Sequence, residues 1–418
     1  MSKVHVIGAG LAGLAAALSL TGAGRAVVIH EAGAAGGGRC RSYFDKEIGL
    51  RIDNGNHLLL SGNTAARAYI AETGAAERFH IPDQAVFPFL DIKRGERWTV
   101  HPNPGRIPWW MVLPHRRVPE TRLSDYLDLI RIVRCRDDTT VADSLRRGEL
   151  FRRLVEPLAI AALNTSTAEG LARLLGAVVR ETLMQGGKAC RPMLPKEGLS
   201  EALVEPAVAT LLARGAEIRF NSRIAGLTIE HGAVTGLRGP AGPVEVDRSD
   251  AVVLAVPPWV ASELLPGLVV PDAFEAILNI HYRHAPDSLR EPRFIGLTSG
   301  TAEWVFIKPG HVSVTISAAN RMVDEPAEAI ALRVWPDVVD ALGPGAAMKD
   351  AMPAYRVVKE RRATFAATAA QDARRPRSRT NSATNLALAG DWTDTGLPAT
   401  IEGAIRSGRL AADVILSV

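Results

Sequence analysis

Hydrophobic positions along this chain follow two periods, and the switches between them mark its elements. Lys3-Val4-His5-Val6-Ile7 is a short apolar run and predicts a buried strand. Beyond a glycine-rich turn, residues 14–20 (Leu-Ala-Ala-Ala-Leu-Ser-Leu) are strong helix formers that should stop near Gly22 and Gly24. Residues 25–30 predict a second strand, ending at Glu31. From about Thr64 to Asp91 the pattern is helix, then short strand. Residues 121 to about 185 read as mostly helical. Within them Leu123, Tyr126, Leu127, Ile130 and Val133 keep helical spacing; the many Leu, Ala and Ile residues of this region are first of all core and equally suit a greasy pocket.

The later chain changes period more often. A helix is expected over 200–214 and strands over 216–220 and 251–256, with two strand-like runs between them joined through 239–243. Residues 302–307 and 311–316 predict an antiparallel pair joined at Pro309-Gly310, followed by a helix over 326–342. A last strand over 385–389 leads to a helix from Ile401. Asn54-Gly55 is a tight-turn signal between strand-like runs, read either as a hairpin turn or as backbone facing a ligand. The expected fold class is therefore α/β, with a Rossmann-like unit assembled from discontinuous segments.

The first turn carries chemistry. In Gly8-Ala9-Gly10-Leu11-Ala12-Gly13, Gly8 permits the tight turn, Gly10 lets backbone approach a pyrophosphate, and Gly13 lets the helix pack on the sheet. The helix N-terminus offers free N–H groups to phosphates. Glu31 stands where a carboxylate accepts hydrogen bonds from ribose hydroxyls and repels a 2′-phosphate. A second glycine-rich turn, Gly36-Gly37-Gly38-Arg39, suits a dinucleotide longer than NAD.

Composition narrows the class. The 418 residues suit two domains or one large composite, and 47% are hydrophobic, enough for a sizeable core. A net charge of +4 without a lysine-rich run or aromatic-basic alternation gives no case for nucleic acid. The three cysteines show neither zinc spacing nor a disulfide framework, so no metal site is expected and a reducing cytoplasm is the natural setting. No signal peptide or bilayer-spanning stretch is visible, so any membrane contact should be peripheral. Residues 104–117 combine Trp109 and Trp110 with prolines and arginines. That mixture suits a membrane interface at the inner face, a pocket lining or a core. The basic run 374–379 is read first as a solvated loop and, as the lesser alternative, as a phosphate or lipid contact.

Glu31 with Gly37-Gly38-Arg39, and the terminal run from Gly390-Asp391 through Thr400-Ile401-Glu402-Gly403-Ala404, resemble the flavoproteins of the amine oxidase and carotenoid desaturase superfamily. Four segments in order resemble the bacterial hydroxysqualene dehydroxylase family, also labelled squalene-associated FAD-dependent desaturases. They are Asp53-Asn54-Gly55-Asn56-His57, the run 156–165 ending Leu-Asn-Thr, the run 194–199, and Trp392-Thr393-Asp394-Thr395-Gly396. Residues 56–63 depart from that pattern, where a more aromatic or cysteine-containing end is expected.

The resemblance implies FAD, held at Gly8, Gly10, Leu11, Ala12, Gly13, Glu31, Ala32, Gly38, Arg39, Gly55, Asn56, Ile224, Gly390, Asp391, Thr400, Ile401, Gly403 and Ala404. It implies an FAD-binding domain over 1–80, 194–260 and 382–418, and an α+β substrate domain with a helical cap over 81–193 and 261–381. The implied reaction is reductive removal of the hydroxyl of hydroxysqualene, giving squalene and water for hopanoid or isoprenoid biosynthesis. Asp53 and His57 are the candidate catalytic groups. Rival readings are a carotenoid or phytoene-type desaturase, an amine oxidase, and a non-catalytic binder of lipid or prenylated protein on the same fold. The partner is a lipophilic isoprenoid; the reductant of FAD has no signature in the sequence.

Overall fold

The computed structural model describes residues 2–284, 290–345 and 351–417. Two sheets organise it. Five strands form a parallel sheet in the order Glu217–Arg219, Ala26–His30, Lys3–Ile7, Ala251–Leu254, Leu386–Leu388. Such strands are buried on both faces, which is why each reads as an unbroken apolar run. On one face Val4, Val6, Val27 and Ile29 pack under the helices Leu11–Gly22, Glu205–Ala213 and Ile401–Leu416. On the other, Ile7, Val252, Leu254 and Leu388 pack against Val234 and Leu237 of a small antiparallel sheet, Leu227–Glu230, Ala233–Gly239 and Gly242–Glu245.

The two ends of the chain meet here. A Cβ at Gly408 would overlap the carbonyl oxygen of Ala12, so the last helix crosses the first backbone against backbone. Glu402, almost fully buried, accepts from the N–H groups of Ala65 (2.9 Å) and Ala66 (2.8 Å) and so caps the helix Thr64–Glu72.

Seven strands form the second sheet, in the order Tyr355–Phe365, Phe274–Tyr282, His311–Ile316, Trp304–Lys308, Arg293–Thr298, Phe87–Asp91, Glu96–Val100. All neighbours are antiparallel except Arg293–Thr298 with Phe87–Asp91. One face presents Leu278, Ile280, Val305, Val312 and Val314 to Ile330, Val334 and Trp335 of the helix Ala327–Leu342. The opposite face carries Asn279, His281, Lys308, His311, Ser313 and Thr315, and these are buried too. Near one end of that sheet Phe89, Trp98, Phe294, Trp304 and Phe306 pack beneath the helical region that includes Leu127–Arg134, Glu156–Leu163 and Ala172–Glu181.

One of two open alternatives falls away and two sequence expectations change. Asn54-Gly55 is not a hairpin turn: Leu50–Asp53 pairs back onto Ser42–Asp45, while Leu59–Leu60 pairs with Pro192–Pro195. Leu123, Leu127 and Ile130 are exposed, neither core nor pocket, because the segment buries Tyr126, as expected, together with Leu129 and Ile132. The run 374–379 is not simply solvated, because Arg375 is buried. We propose 1–80, 194–260 and 382–418 as the FAD-binding domain and 81–193 and 261–381 as the substrate domain, a division supported by how the strands of the two large sheets segregate along the chain.

Candidate active site

The glycine loop is built as its residue types demand. Gly8 has φ +105°, and a Cβ there would overlap the carbonyl oxygen of Ala255. A Cβ at Gly13 would overlap the carbonyl oxygen of Gly8. Gly10 differs: a Cβ there would meet nothing within 4 Å, and one at Gly38 would meet only the Cα of Gly10. Two loops thus face one open groove. Gly10 caps the helix Leu11–Gly22 without a side-chain hydrogen bond, so its first turn, with Leu11, Ala12 and Gly13, leaves N–H donors for an anion. Glu31 accepts from the N–H of Ala9 (2.7 Å) and of Gly33 (2.7 Å), which pins the turn through Ala32. Each carboxylate oxygen keeps a further lone pair for a hydroxyl. Ile224 follows Ser222, whose N–H donates to the Glu31 carbonyl (2.7 Å), but its own side chain lies in the core beside Ile7 and Val252.

Arg39 and Asp391, expected as two separate cofactor contacts, form an ion pair of 2.6 Å, and Arg39 also donates to the Ala363 carbonyl (2.5 Å). Gly390 is held at φ +152° against the Trp392 indole. Thr400 caps the last helix, its hydroxyl accepting from the Gly403 N–H (3.0 Å), while the Ala404 N–H returns to the Thr400 carbonyl (2.9 Å). Ile401 turns inward to the core. Arg375, missed in the sequence, holds this loop. It pairs with Asp372 (2.8 Å), donates to the carbonyls of Thr393 (2.5 Å) and Asp391 (3.3 Å), and lies over Phe365. An open glycine groove, an uncapped helix start and a ribose-facing carboxylate fit FAD.

The second half of the site lies where Asp53–His57 meets the polar face of the seven-stranded sheet. Asn56 donates from Nδ2 to Ser313 (2.7 Å) and Thr315 (3.1 Å), so it binds the sheet. A Cβ at Gly55 would stand 3.1 Å from the Asn279 amide nitrogen, and glycine allows this approach. Asp53 accepts from Ser42 (2.7 Å), the Leu199 N–H (2.8 Å) and the Lys308 ammonium (2.7 Å). Gly198 is required beside it, since a Cβ would press on Ser42 and Asp53. Burial opposes the Asp53 charge, but Lys308 and these donors outweigh it and hold the carboxyl below its ordinary value.

Asp53 and His57 together with Asn56, Arg293, Lys308, Leu194, Leu199 and Phe306 line a narrow cleft. Burial pulls His57 down to about 4, partly offset by Asp53, so the ring is neutral near pH 7. Burial likewise lowers His281 to about 3 and His311 to about 4, each with a further push from Lys308. Lys308, absent from the sequence reading, is the buried cation of this site, and Arg293 also lines the cleft. The strand of Lys308, residues 304–308, is an apolar run that ends in this lysine and carries no signal of its burial.

Comparison with known proteins agrees with this geometry. A family model described as flavin containing amine oxidoreductase matches residues 11–285 and 308–416. The chain is 49% identical to a hydroxysqualene dehydroxylase of Rhodopseudomonas palustris, over 100% of this chain and 99% of that protein. It is 43% identical to one from Zymomonas mobilis, over the full length of both. A solved oxidoreductase structure from Methanosarcina mazei shares the fold at a TM-score of 0.72 and 15% identity, covering 98% of this chain and 100% of that one. The protein is an FAD-dependent oxidoreductase. It belongs to the flavin-containing amine oxidoreductase family and, within it, to the hydroxysqualene dehydroxylases.

Proposed function

We propose that this protein removes the hydroxyl of hydroxysqualene reductively, giving squalene and water. The observation that carries the reading is one ammonium group, Lys308, buried beside Asp53 in a cleft whose apolar walls include Leu194, Pro195, Leu199 and Phe306 and whose other polar lining is Asn56, His57 and Arg293. FAD, when bound and reduced, supplies the hydride. Gly8, Gly10, Gly13, Glu31 and Gly38 of the first loops, and Asp391 and Thr400 at the far end of the chain, are the residues that would hold it. The protein supplies what hydroxide lacks as a leaving group, a proton or strong hydrogen bond at the departing oxygen.

Asp53 and His57 were the candidates for that group. Asp53 is kept ionised by its donors, so it carries no proton to give. His57 is neutral and offers at most a hydrogen bond. Lys308 has three N–H donors and spends one on Asp53. We assign it the proton: the C–O bond breaks as the oxygen takes a proton from Nζ and leaves as water, and a new C–H bond forms at that carbon. Asp53 positions the lysine. The apolar walls shelter the allylic cation from water. A substrate of this kind dissolves in bilayers, so we place the protein in peripheral contact with a membrane, at its cytoplasmic face; the three free cysteines support that compartment.

The test is anaerobic mixing of the reduced protein with hydroxysqualene. Flavin reoxidation with formation of squalene is expected. Bleaching of the oxidised protein by a polyene, with no response to the alcohol, would instead establish a desaturase.

A further inference from the structure

The geometry points to one face, formed by residues 105–112, 122–134 and Met184, as a docking surface for an anionic lipid bilayer. It deepens the reading of a lipophilic substrate and rests on it. Ile107, Trp109, Leu123, Leu127, Ile130 and Met184 are all exposed, Ile107 by 79% and Leu127 by 54%. They sit on segments locked to one another. Trp110, buried behind Trp109, meets Tyr126 edge to face at 5.5 Å between ring centres. The Gly187 N–H donates to the Asn103 carbonyl (2.7 Å), and a Cβ at Gly186 would overlap the Gly105 carbonyl. The apolar side chains are therefore displayed from a braced surface. Leu123, Leu127, Ile130 and Arg134 recur at helical spacing along its outer side.

Charge selects the occupant. Arg106, Arg116, Arg117, Arg122 and Arg134 surround this patch, and among the described residues none of them forms an ion pair. Arg116 lies over the Trp109 ring at 4.9 Å. The acids on the same segments are already engaged: Asp125 and Asp128 with Arg146, Asp128 also with Arg131, and Glu120 with Arg94. An apolar centre ringed by unpaired arginines suits acyl chains bordered by lipid phosphates. A second copy would set arginine against arginine, which disfavours self-association through this face. No helix among the described residues is long and apolar enough to cross a membrane, so the contact is in the plane of the interface.

The test uses the FAD-loaded full chain with vesicles of phosphatidylcholine, alone or containing about a third phosphatidylglycerol. Wild type should sediment with the anionic vesicles and release as salt is raised. Each of Arg122→Gln and Arg134→Gln should weaken binding about fivefold, and Ile107→Asp with Leu127→Asp should weaken it at least about tenfold. Val269→Asp, at an exposed apolar residue elsewhere, should leave it unchanged. Absence of wild-type binding, an equal loss in Val269→Asp, or a lipid-free dimer dissolved by the Leu127 variant would each overturn the proposal. Turnover of hydroxysqualene in detergent micelles is measured in parallel. Micellar turnover retained by patch variants that fail on vesicle-borne substrate supports the surface. Loss of micellar turnover in wild type sinks the substrate reading and leaves the vesicle result to stand on its own.

Discussion

The two large sheets bury both of their faces, yet they build opposite kinds of site. The parallel sheet is apolar on each side and offers function only at the carboxyl ends of its strands, through glycine backbone, a helix start and Glu31. The seven-stranded sheet is apolar against the helix Ala327–Leu342 and polar on its other face, where Asn279, His281, Lys308, Ser313 and Thr315 are buried. The first is the site we propose for the cofactor, built from shape and main-chain donors. The second places ionisable side chains in a poor solvent, where each must be paired or stay neutral. A cofactor shared by many reactions suits the backbone site, and a particular reaction suits the side-chain site.

The sharpest break of that contrast is at Gly13. Gly13→Val drives atoms into the Gly8 carbonyl and should cost at least about 3 kcal/mol, with loss of bound flavin. The measurement is flavin absorbance of the purified protein beside its melting curve, and a yellow variant of normal stability would refute the packing argument.

Lys308→Met strikes the other sheet. It strands Asp53 as a buried unpaired carboxylate, a change that costs about 3–5 kcal/mol. The double variant Lys308→Met with Asp53→Asn should recover much of this stability and still lack turnover by about a hundredfold. Full activity in the double variant would remove Lys308 as the proton source.

The pH response comes next, and its sign follows from direction. His57, His281 and His311 have folded pKa values near 4, 3 and 4, below the ordinary value. The unfolded chain therefore binds more protons as pH falls from about 6.5, and stability should drop by up to about 1.4 kcal/mol per pH unit for each histidine. Their contribution is fully present above that range and is lost through the folded values near 4 and 3. Asp53 acts at the acid end: its carboxyl is depressed, so its contribution is present above about pH 4 and lost as pH falls through its lower folded value. Denaturant titrations of His281→Gln between pH 7 and 4 should show a shallower slope than wild type.

Thr400→Ala is the mildest test. It removes the acceptor of the Gly403 N–H and should cost about 1 kcal/mol while the flavin stays bound. A loss as large as that of Gly13→Val would mean that the last helix start does more than cap itself.

The parallel-sheet half of the protein was readable along the chain because its information is local. Gly8, Gly10, Gly13 and Glu31 lie within one strand–helix–strand unit, and their spacing implies their geometry. Gly390, Asp391 and Thr400 were singled out through a family resemblance, and their cofactor role stays a proposal. That Arg39 would meet Asp391, or that Glu402 would cap the helix at Thr64, was not, since 352 and more than 330 positions separate the partners.

Arg375 read as one charge in a basic run because nothing nearby shows that the loop 391–395 folds over it. Leu123, Leu127 and Ile130 read as core because helical spacing marks an apolar stripe without saying which stripe turns inward. Lys308 is the clearest case. Its strand reads Trp-Val-Phe-Ile-Lys, an apolar run ending in a lysine, and a lysine at a strand end is usually solvated. Only the closure of Asp53–His57 over the sheet removes water from that face and turns Lys308 from a surface charge into the buried partner of Asp53. The sequence by itself determined the cofactor half, because glycine conformations and helix starts are properties of neighbouring residues. The tertiary structure decided the reactive half, because burial of a charge and the partner that compensates it depend on chain segments 255 residues apart.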